Sequence, residues 1–352
     1  MTRFSGTRVS PTPYAIFLLT AFISSPALAD HSGPTGIGGD GASLHVQSPD
    51  TLERGKASAG FRLTYSRPDQ RSDKELEALA GQHIHAHNTD YSLTAAIGVA
   101  YGITDRLTLS AELPYVRRDG LREGEHAHAG GEAINEVVKL GNVSGVGDLS
   151  LIAKYGLLDS SHSKIALIGG LKMPTGSTRR HSNEGERLET EHQPGSGSWD
   201  PLMGAAVGTK LGPVTLNASA LYQFSGKGAQ RTRLGDRVAG GIALAHRFGQ
   251  PEHHHAEAEH HHDEETAHQP HGHSSWDAFV ELTGEWEGRQ KIAGELEEDS
   301  GGKGIWFSPG ARFNSAGGLS VAASIGLPVW QKIRASHPDN DYRLTLAVGK
   351  AF

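Results

Sequence analysis

Long stretches of this chain alternate apolar residues with small or polar ones at a period of two. In the clearest stretch, residues 89–101, the odd positions from Tyr91 to Tyr101 are apolar, and the even positions are small or polar. Alternate residues of a β-strand face opposite sides, so the stretch predicts a strand with one wholly apolar face. A strand of about ten residues with aromatic residues at both ends of that face is typical of a transmembrane barrel.

The same pattern recurs along the chain and predicts twelve strands. They occupy residues 56–66, 89–101, 106–116, 148–157, 164–173, 198–210, 214–224, 236–248, 276–287, 304–314, 319–329 and 342–352. An open sheet edge has no hydrogen-bond partner in hydrocarbon, so we expect the strands to close on themselves. The predicted fold class is therefore all-β: a twelve-stranded antiparallel transmembrane β-barrel of the outer-membrane type, formed by residues 56–352.

The connections between the predicted strands alternate in length. Turns such as 102–105 and 211–213 are short, whereas the connections 117–147 and 174–197 are long. Outer-membrane barrels have short periplasmic turns and long external loops, so we expect both termini in the periplasm. One periplasmic connection breaks the alternation, because a long histidine-rich insert at 249–275 joins the eighth and ninth strands.

The first 29 residues have the features of a secretory signal peptide. Arg3 and Arg8 precede the apolar stretch 15–23, and small residues follow up to Ala29. A signal peptidase recognises this arrangement. The alternative is a membrane anchor, for which the apolar stretch is too short. We therefore predict a signal peptide at 1–29, export to the outer membrane of a Gram-negative cell, and contact with outer-membrane lipid.

The amino-acid composition excludes several kinds of functional site. The chain has no cysteine, so disulfides, thiolate metal ligands and cysteine nucleophiles are excluded. Acidic residues number 40 against 33 basic ones, and we expect no nucleic-acid partner. The segment 30–55 is rich in glycine. We expect it either to enter the lumen as a small plug or to lie free in the periplasm.

The insert is the strongest candidate for a ligand site. From Glu252 to His273 it contains nine histidines and six acidic residues, and it contains no lysine or arginine. Neutral imidazole binds zinc, copper, nickel and cobalt, so we expect such an ion to bind through interchangeable ligands. The alternative is a solvated linker without a function. The candidate metal ligands are His253, His254, His255, His260, His261, His262, His268, His271 and His273.

Smaller groups of histidines fall in the predicted outer loops. They are His83, His85, His87, His126, His128, His181 and His192. The first three alternate along the chain and would share one face of an extended segment. Each group is ordinary for a protein surface. Together with the insert, they indicate metal ligands at the outer mouth as well as at the periplasmic exit.

Charged residues of both signs fall on the predicted inward faces. The basic ones are Arg62, Arg106, Lys154, Lys172, Arg237, Arg247, Arg312 and Arg343, and the acidic ones are Asp90, Glu112, Asp148, Asp277, Glu281 and Glu285. We expect them to form ion pairs that fill a narrow lumen, and the alternative is a selective path for ions. Asp277, Glu281 and Glu285 form one acidic row that a cation leaving the lumen would meet before the insert.

Four short motifs resemble those of a known family. They are Gly145-Val146-Gly147-Asp148-Leu149, Ala153-Lys154-Tyr155, Leu171-Lys172-Met173-Pro174-Thr175-Gly176 and Gln193-Pro194-Gly195-Ser196-Gly197-Ser198. In this order they are similar to outer-membrane barrels described as transporters of the meta-pathway of phenol degradation, and the terminal Phe352 resembles a barrel-assembly signal. The resemblance covers residues 50–250 and 304–352 and leaves out the histidine-rich insert. It implies an outer-membrane barrel that passes small molecules.

We expect a channel rather than an enzyme. His181, Ser182 and Asn183 superficially resemble the serine–histidine grouping of barrel lipases. They sit in a long loop without an evident acidic partner, and adjacency in sequence does not establish catalytic geometry. We expect no catalytic residue and no required cofactor.

The function that we expect is transport of a small solute, linked to transition-metal handling by the insert. A periplasmic metal-handling protein is then an expected partner. Two alternatives remain open at this point. One is a channel for aromatic or other small hydrophobic compounds, and the other is a non-conducting structural barrel.

Overall fold

A computed structural model describes residues 43–129, 132–248 and 274–352. The predicted signal peptide at 1–29 lies outside these residues, as do residues 30–42 and nearly all of the insert. The domain boundaries predicted there stay predictions. Among the described residues, no helix is both long enough and apolar enough to cross a membrane.

Within the described residues, twelve long antiparallel strands form a closed barrel, which confirms the predicted fold class. They are β1 (Ala57–Pro68), β2 (Tyr91–Thr104), β3 (Leu107–Ala129), β4 (Leu149–Asp159), β5 (Ser163–Met173), β6 (Asp200–Leu211), β7 (Val214–Gln223), β8 (Arg237–Phe248), β9 (Ser275–Glu287), β10 (Gly302–Asn314), β11 (Leu319–Gln331) and β12 (Asn340–Ala351). Consecutive strands pair, and β12 pairs with β1. Closure gives each strand a hydrogen-bonded neighbour on both sides, as the membrane interior requires.

The apolar rows face outward, as the alternation predicts. On β2, Ile97, Val99 and Tyr101 are exposed on the barrel surface, whereas the intervening Ala96 and Ala100 are buried. The same exposure is seen in the outward rows of β4 and β11. Lipid surrounds this surface in a transmembrane barrel, so exposed apolar side chains are favourable there.

The second outer connection differs from the loop predicted at 117–147. β3 runs for 23 residues and pairs over its outer part with a returning strand, Glu132–Val146. We call residues 117–146 the outer hairpin. Its sequence is charged and alternates weakly. A hairpin beyond the lipid needs no apolar face, so the period that revealed the other strands is missing here.

The first outer loop contains the helix α1 (Asp73–Ala80). Ser72 and Glu75 form a capping box: the Glu75 carboxylate accepts a hydrogen bond from the Ser72 backbone N at 2.7 Å, and the Ser72 hydroxyl accepts one from the Glu75 backbone N at 3.3 Å. The buried side chains of Leu76 and Ala80 lie on this helix, which packs against the outer hairpin. The helix therefore holds the first loop close to the barrel mouth.

Short elements complete the outer loops. They are the 3₁₀ turns Thr190–His192 and Ala229–Arg231 and the two-residue strands His87–Asn88, Thr232–Arg233, Lys291–Ile292 and Glu295–Leu296. The last three of these strands form a small separate sheet between two neighbouring loops. The strand at His87–Asn88 pairs with β3. These contacts fold the outer loops onto one another.

Candidate functional site

Three of the four motifs that carry the family resemblance meet at the outer ends of β4, β5 and β6. Asp148 Oδ2 accepts hydrogen bonds from Lys172 Nζ at 3.0 Å and from the backbone N and hydroxyl of Ser196 at 2.8 and 2.7 Å. Asp148 Oδ1 accepts one from the Gly176 backbone N at 2.9 Å. Lys172 Nζ also lies 2.7 Å from a carboxylate oxygen of Asp200. Three motifs that are separate in sequence therefore form one network of buried polar groups.

This network folds the connection between β5 and β6 inward over the barrel mouth. We call residues 174–199 the inner loop. Where its two arms cross, a Cβ atom on Gly176 would lie 2.7 Å from the Cα atom of Gly195, so the crossing requires glycine. Gln193 is completely buried, and its Nε2 donates a hydrogen bond to the Leu188 carbonyl oxygen at 2.7 Å. The inner loop thus narrows the outer opening of the lumen.

Three imidazoles from different outer loops, one of them on the inner loop, meet at the barrel mouth. His87 Nε2 lies 2.6 Å from His337 Nδ1, and the rings of His87 and His192 are perpendicular with centroids 4.5 Å apart. Burial, reinforced by neighbouring positive charge, lowers the pKa of His192 to about 3 and the pKa of His337 to about 4. Burial also holds the pKa of His87 well below its usual range. All three rings are therefore neutral at pH 7.

A buried carboxyl group lies between two of these rings. Glu191 Oε1 is 3.5 Å from His87 Nδ1 and 3.7 Å from His192 Nε2, while Glu191 Oε2 accepts a hydrogen bond from Gln290 Nε2 at 2.6 Å. Burial and then the nearby carboxylates raise the pKa of Glu191 to about 8. We call His87, Glu191, His192 and His337 the mouth cluster. It is a compact set of groups that bind metal ions in other proteins.

The predicted outer histidines separate into several places. His83 has a positive φ of 60°, and its ring stacks edge-on against His126 with centroids 4.4 Å apart. His85 is exposed, 3.9 Å from Glu123. The expectation that His83, His85 and His87 share one face is therefore wrong, because the chain turns after α1 instead of running extended.

Only two of the predicted outer histidines come together in the mouth cluster among the described side chains, namely His87 and His192. His181 is exposed on the inner loop, and the side chain of His128 lies outside the described residues. Sequence reasoning missed Glu191 and His337. Nothing in their local sequence marks them, since folding alone brings the loops together.

The serine and histidine considered as a catalytic pair lie in a tight turn of the inner loop. The Ser182 hydroxyl accepts hydrogen bonds from the backbone N of Glu184 at 3.2 Å and of Glu186 at 3.3 Å. His181 forms an isolated backbone bridge with Arg187 and is exposed. These contacts are those of a turn that a polar side chain stabilises.

Most of the predicted inward charges form ion pairs inside the barrel. The pairs are Arg62 with Glu112 at 2.9 Å, Arg237 with Glu287 at 3.0 Å, Arg247 with Asp277 at 2.6 Å and Arg343 with Glu285 at 2.6 Å. The predicted lattice is therefore confirmed. Arg106 and Asp90 were wrongly placed in it. Both are exposed, because β2 ends at Thr104 and begins only at Tyr91.

The acidic row on β9 is already occupied by partners. Asp277 pairs with an arginine on β8, and Glu285 pairs with an arginine on β12. Glu281 Oε1 accepts hydrogen bonds from the backbone N of Leu44, His45 and Val46 at 3.1, 2.8 and 2.9 Å. The interpretation of this row as an open path for a cation is therefore wrong.

A short stretch before β1 lies within the lumen. We call residues 43–50 the N-terminal segment. Besides its contacts with Glu281, its Ser48 carbonyl oxygen accepts a hydrogen bond from Lys154 Nζ at 2.7 Å, and its Ser43 carbonyl oxygen accepts one from Arg312 Nη2 at 2.9 Å. Three barrel strands therefore hold this segment through charged side chains.

A cavity of about 330 Å³ lies beside the N-terminal segment, in the half of the lumen nearer the short turns. Its basic lining residues are Arg62, Lys154, Arg247, Arg312 and Lys350. Apolar side chains from the N-terminal segment and from the following turn, including Leu44, Val46 and Leu52, complete the wall. Its lining contains no Asp or Glu among the described residues. The cavity therefore combines apolar surface with positive charge.

The structure does not describe residues 249–273, so the nine insert histidines lie outside the described residues. Metal binding by the insert stays a prediction. β8 ends at Phe248 and β9 begins at Ser275, both at the end of the barrel with the short turns. The connection thus leaves from that end, as the strand count predicts.

Comparisons with known proteins relate the chain to outer-membrane barrels. A family model described as "Putative MetA-pathway of phenol degradation" matches residues 49–279. An outer membrane channel from Pseudomonas putida F1 has a similar fold, with 20% identity and a TM-score of 0.52 over 88% of this chain and 100% of that chain. This likeness supports the barrel fold. No curated protein matches the sequence.

Two further solved structures are more distant. LpxR from Salmonella typhimurium is 12% identical, with a TM-score of 0.41 over 83% of this chain and 99% of that chain. The toluene transporter TbuX from Ralstonia pickettii is 9% identical, with a TM-score of 0.43 over 90% of this chain and 96% of that chain. At this distance they carry no argument about function.

Proposed function

Because the chain belongs to the phenol-degradation family, whose model matches about two thirds of its length, we propose that it is a channel for small aromatic solutes that carry an acidic oxygen. The protein is an outer-membrane β-barrel. The family description suggests an aromatic solute. The single observation that carries the acidic part of the proposal is the basic lining of the luminal cavity.

The size and lining of the cavity suit such a solute. Small-molecule pockets commonly have volumes of about 300–1,000 Å³, and this cavity has about 330 Å³. Leu44 and Val46 offer apolar surface to a ring. Guanidinium and ammonium groups bind carboxylate and phenolate oxygens, and Arg312 and Lys154 reach the cavity wall. An aromatic cation would meet the same positive charge and be repelled.

Passage requires movement of two inserted parts. The N-terminal segment borders the cavity, and the inner loop narrows the outer opening. Hydrogen bonds rather than a large apolar core hold the N-terminal segment in place, through Glu281, Lys154 and Arg312. Such a segment can shift at a smaller free-energy cost than a barrel strand. We therefore expect gated passage and no catalytic step.

Flux measurements test the proposal. In liposomes that contain the protein, we expect benzoate to enter faster than benzyl alcohol and much faster than benzylammonium. Arg312→Gln should reduce the preference for benzoate several-fold, because it removes a cavity charge. Arg334→Gln, which changes an exposed arginine in an outer loop, should leave the preference unchanged. Equal entry of benzoate and benzylammonium would contradict the proposal.

Transition-metal binding by the insert is a second and separate proposal, favoured by nine histidines beside six acidic residues. The barrel lumen gives it no support as a cargo path, because the acidic row on β9 is paired. Deleting residues 252–273 should preserve barrel assembly and remove most of the bound zinc, copper, nickel or cobalt. Full metal content in the deletion variant would refute this second proposal.

A further inference from the structure

The mouth cluster brings potential metal ligands from three outer loops into one buried place. His87 follows α1, Glu191 and His192 lie in the inner loop, and His337 precedes β12. His87, Glu191 and His192 are buried, and one ligand atom from each lies within 4.8 Å of the others. Two neutral imidazoles and one carboxylate form a common set of zinc ligands.

The separations of the ligand atoms match a tetrahedral ion. Bonds of about 2.0–2.1 Å in tetrahedral geometry place neighbouring ligand atoms about 3.3–3.4 Å apart. Glu191 Oε1 is 3.5 Å from His87 Nδ1 and 3.7 Å from His192 Nε2. These two separations are within a few tenths of an ångström of the tetrahedral value, and the His87 and His192 ligand atoms lie within 4.8 Å of each other.

Outer hydrogen bonds orient these ligands. His87 Nε2 and His337 Nδ1 lie 2.6 Å apart, within hydrogen-bond distance. In the tautomer in which His87 Nε2 carries the proton, the lone pair of His87 Nδ1 faces Glu191. Gln290 Nε2 holds the other oxygen of Glu191 at 2.6 Å. Histidine ligands of metal ions generally have such a partner on the second ring nitrogen.

One ligand atom has an unmet hydrogen-bonding capacity. His192 Nε2 is buried and has no hydrogen-bond partner among the described residues. A buried polar atom without a partner is costly, and a metal ion would satisfy it. The nearest arginines do not take this place: Arg118 donates to the His192 carbonyl oxygen at 2.9 Å, and Arg71 donates to the His337 carbonyl oxygen at 2.6 Å.

We propose that His87 Nδ1, Glu191 Oε1 and His192 Nε2 bind a zinc ion that joins the first outer loop to the inner loop. Three protein ligands leave the fourth position for water. The ion fastens the loops that narrow the mouth, and it is distinct from any metal bound by the insert.

Zinc counting tests the site in the full-length protein, in which the insert is unchanged. Purified protein in detergent is equilibrated with Zn²⁺ and washed, and zinc per chain is measured by mass spectrometry. His192→Gln and Glu191→Gln should each bind one zinc fewer than the wild type. His162→Gln, at an exposed histidine in the turn between β4 and β5, should bind the same number. Equal zinc content in all variants overturns the proposal.

A distance measurement decides the matter if the substitutions prevent folding. The chain has no cysteine, so a nitroxide can be placed uniquely at Glu184→Cys on the inner loop. Bound Cu²⁺ at the mouth cluster should give a copper–nitroxide distance well below the bilayer core thickness of about 30 Å. Copper bound by the insert should give a longer distance, because the strands that flank the insert, β8 and β9, meet it at the opposite end of the barrel. Long distances alone overturn the proposal.

Discussion

At the scale of single residues, buried charges in this barrel have defined partners. The Asp148 carboxylate contacts Lys172, Ser196 and a backbone amide of the inner loop. Removing one partner of a buried pair leaves an uncompensated charge, which costs about 3–5 kcal/mol. The Asp148 carboxylate therefore connects the outer end of β5 to both arms of the inner loop.

Replacing this carboxylate should destabilise the protein strongly. We expect Asp148→Ala to lower the free energy of unfolding by about 3 kcal/mol or more, because the backbone N–H groups of Ser196 and Gly176 lose their acceptor, and each buried donor left unpaired costs about 1–3 kcal/mol. Urea titration in detergent micelles measures the change. Asp341→Ala is the matched control. It removes an exposed carboxylate 3.9 Å from Arg67 and should cost less than about 1 kcal/mol. Equal losses for the two variants would count against the network.

The second residue-scale prediction concerns pH. Burial, and then the charges of Glu189 and Glu125, raises the pKa of Glu123 on the outer hairpin to about 8. A raised pKa means that the folded state prefers the protonated carboxyl group. The stability from Glu123 is therefore complete below its unfolded pKa of about 4.3, and it is lost as the pH rises toward 8.

Glu123→Gln should remove this part of the pH dependence. Limited proteolysis of the outer hairpin between pH 4 and pH 8 should show rising cleavage in the wild type and a flatter profile in the variant. Glu136→Gln, at an exposed position on the returning strand, should keep the wild-type profile. A variant as sensitive to pH as the wild type would show that another group is responsible.

At the scale of elements, two irregular pieces occupy a regular barrel. The N-terminal segment enters from the end with the short turns, and the inner loop enters from the other end. Polar side chains on the strands hold both pieces through backbone groups. The contacts of the N-terminal segment bury little apolar surface, so a single substitution should release this segment without unfolding the barrel.

Glu281→Gln should loosen the N-terminal segment. An amide accepts weaker hydrogen bonds than a carboxylate, and three backbone N–H groups depend on this side chain. We expect single-channel conductance in planar bilayers to rise and open events to lengthen. Glu285→Gln alters a luminal carboxylate on the same strand that pairs with Arg343 and should not have this effect. Identical conductance traces for Glu281→Gln and the wild type would argue against a plug.

At the scale of the whole molecule, the outward surface decides how the barrel sits in the membrane. Ile97 on β2 is 59% exposed and lies in the apolar band. Ile134 on the outer hairpin is 42% exposed and lies beyond that band. The two isoleucines differ chiefly in the medium around them, which is lipid for one and water for the other.

Arginine substitutions should distinguish the lipid environment of Ile97 from the aqueous environment of Ile134. An arginine at the bilayer midplane of a barrel costs about 2–4 kcal/mol, whereas one outside the membrane costs about 0–1. We expect Ile97→Arg to destabilise the protein folded in lipid vesicles by about 2–4 kcal/mol. We expect Ile134→Arg to destabilise it by no more than about 1 kcal/mol. Similar costs at both positions would mean that the membrane boundary is misplaced.

Much of the barrel could be predicted from sequence, because lipid imposes a period of two on every strand. The predicted bounds of β5, residues 164–173, differ from the observed Ser163–Met173 by one residue. The outer hairpin was missed, because water imposes no such period on it. The mouth cluster was only half predicted. His87 and His192 were singled out, whereas Glu191 and His337 join them through loop packing that has no local signature.

The outer hairpin also gives this protein a long two-stranded ribbon beyond the membrane. Residues 117–129, at about 3.4 Å each, add about 40 Å of ribbon to β3. Antibodies and bacteriophages meet the most projecting parts of an outer membrane first. A peptide tag inserted at an exposed position of this hairpin, such as Glu136, should therefore be accessible to antibodies on intact cells.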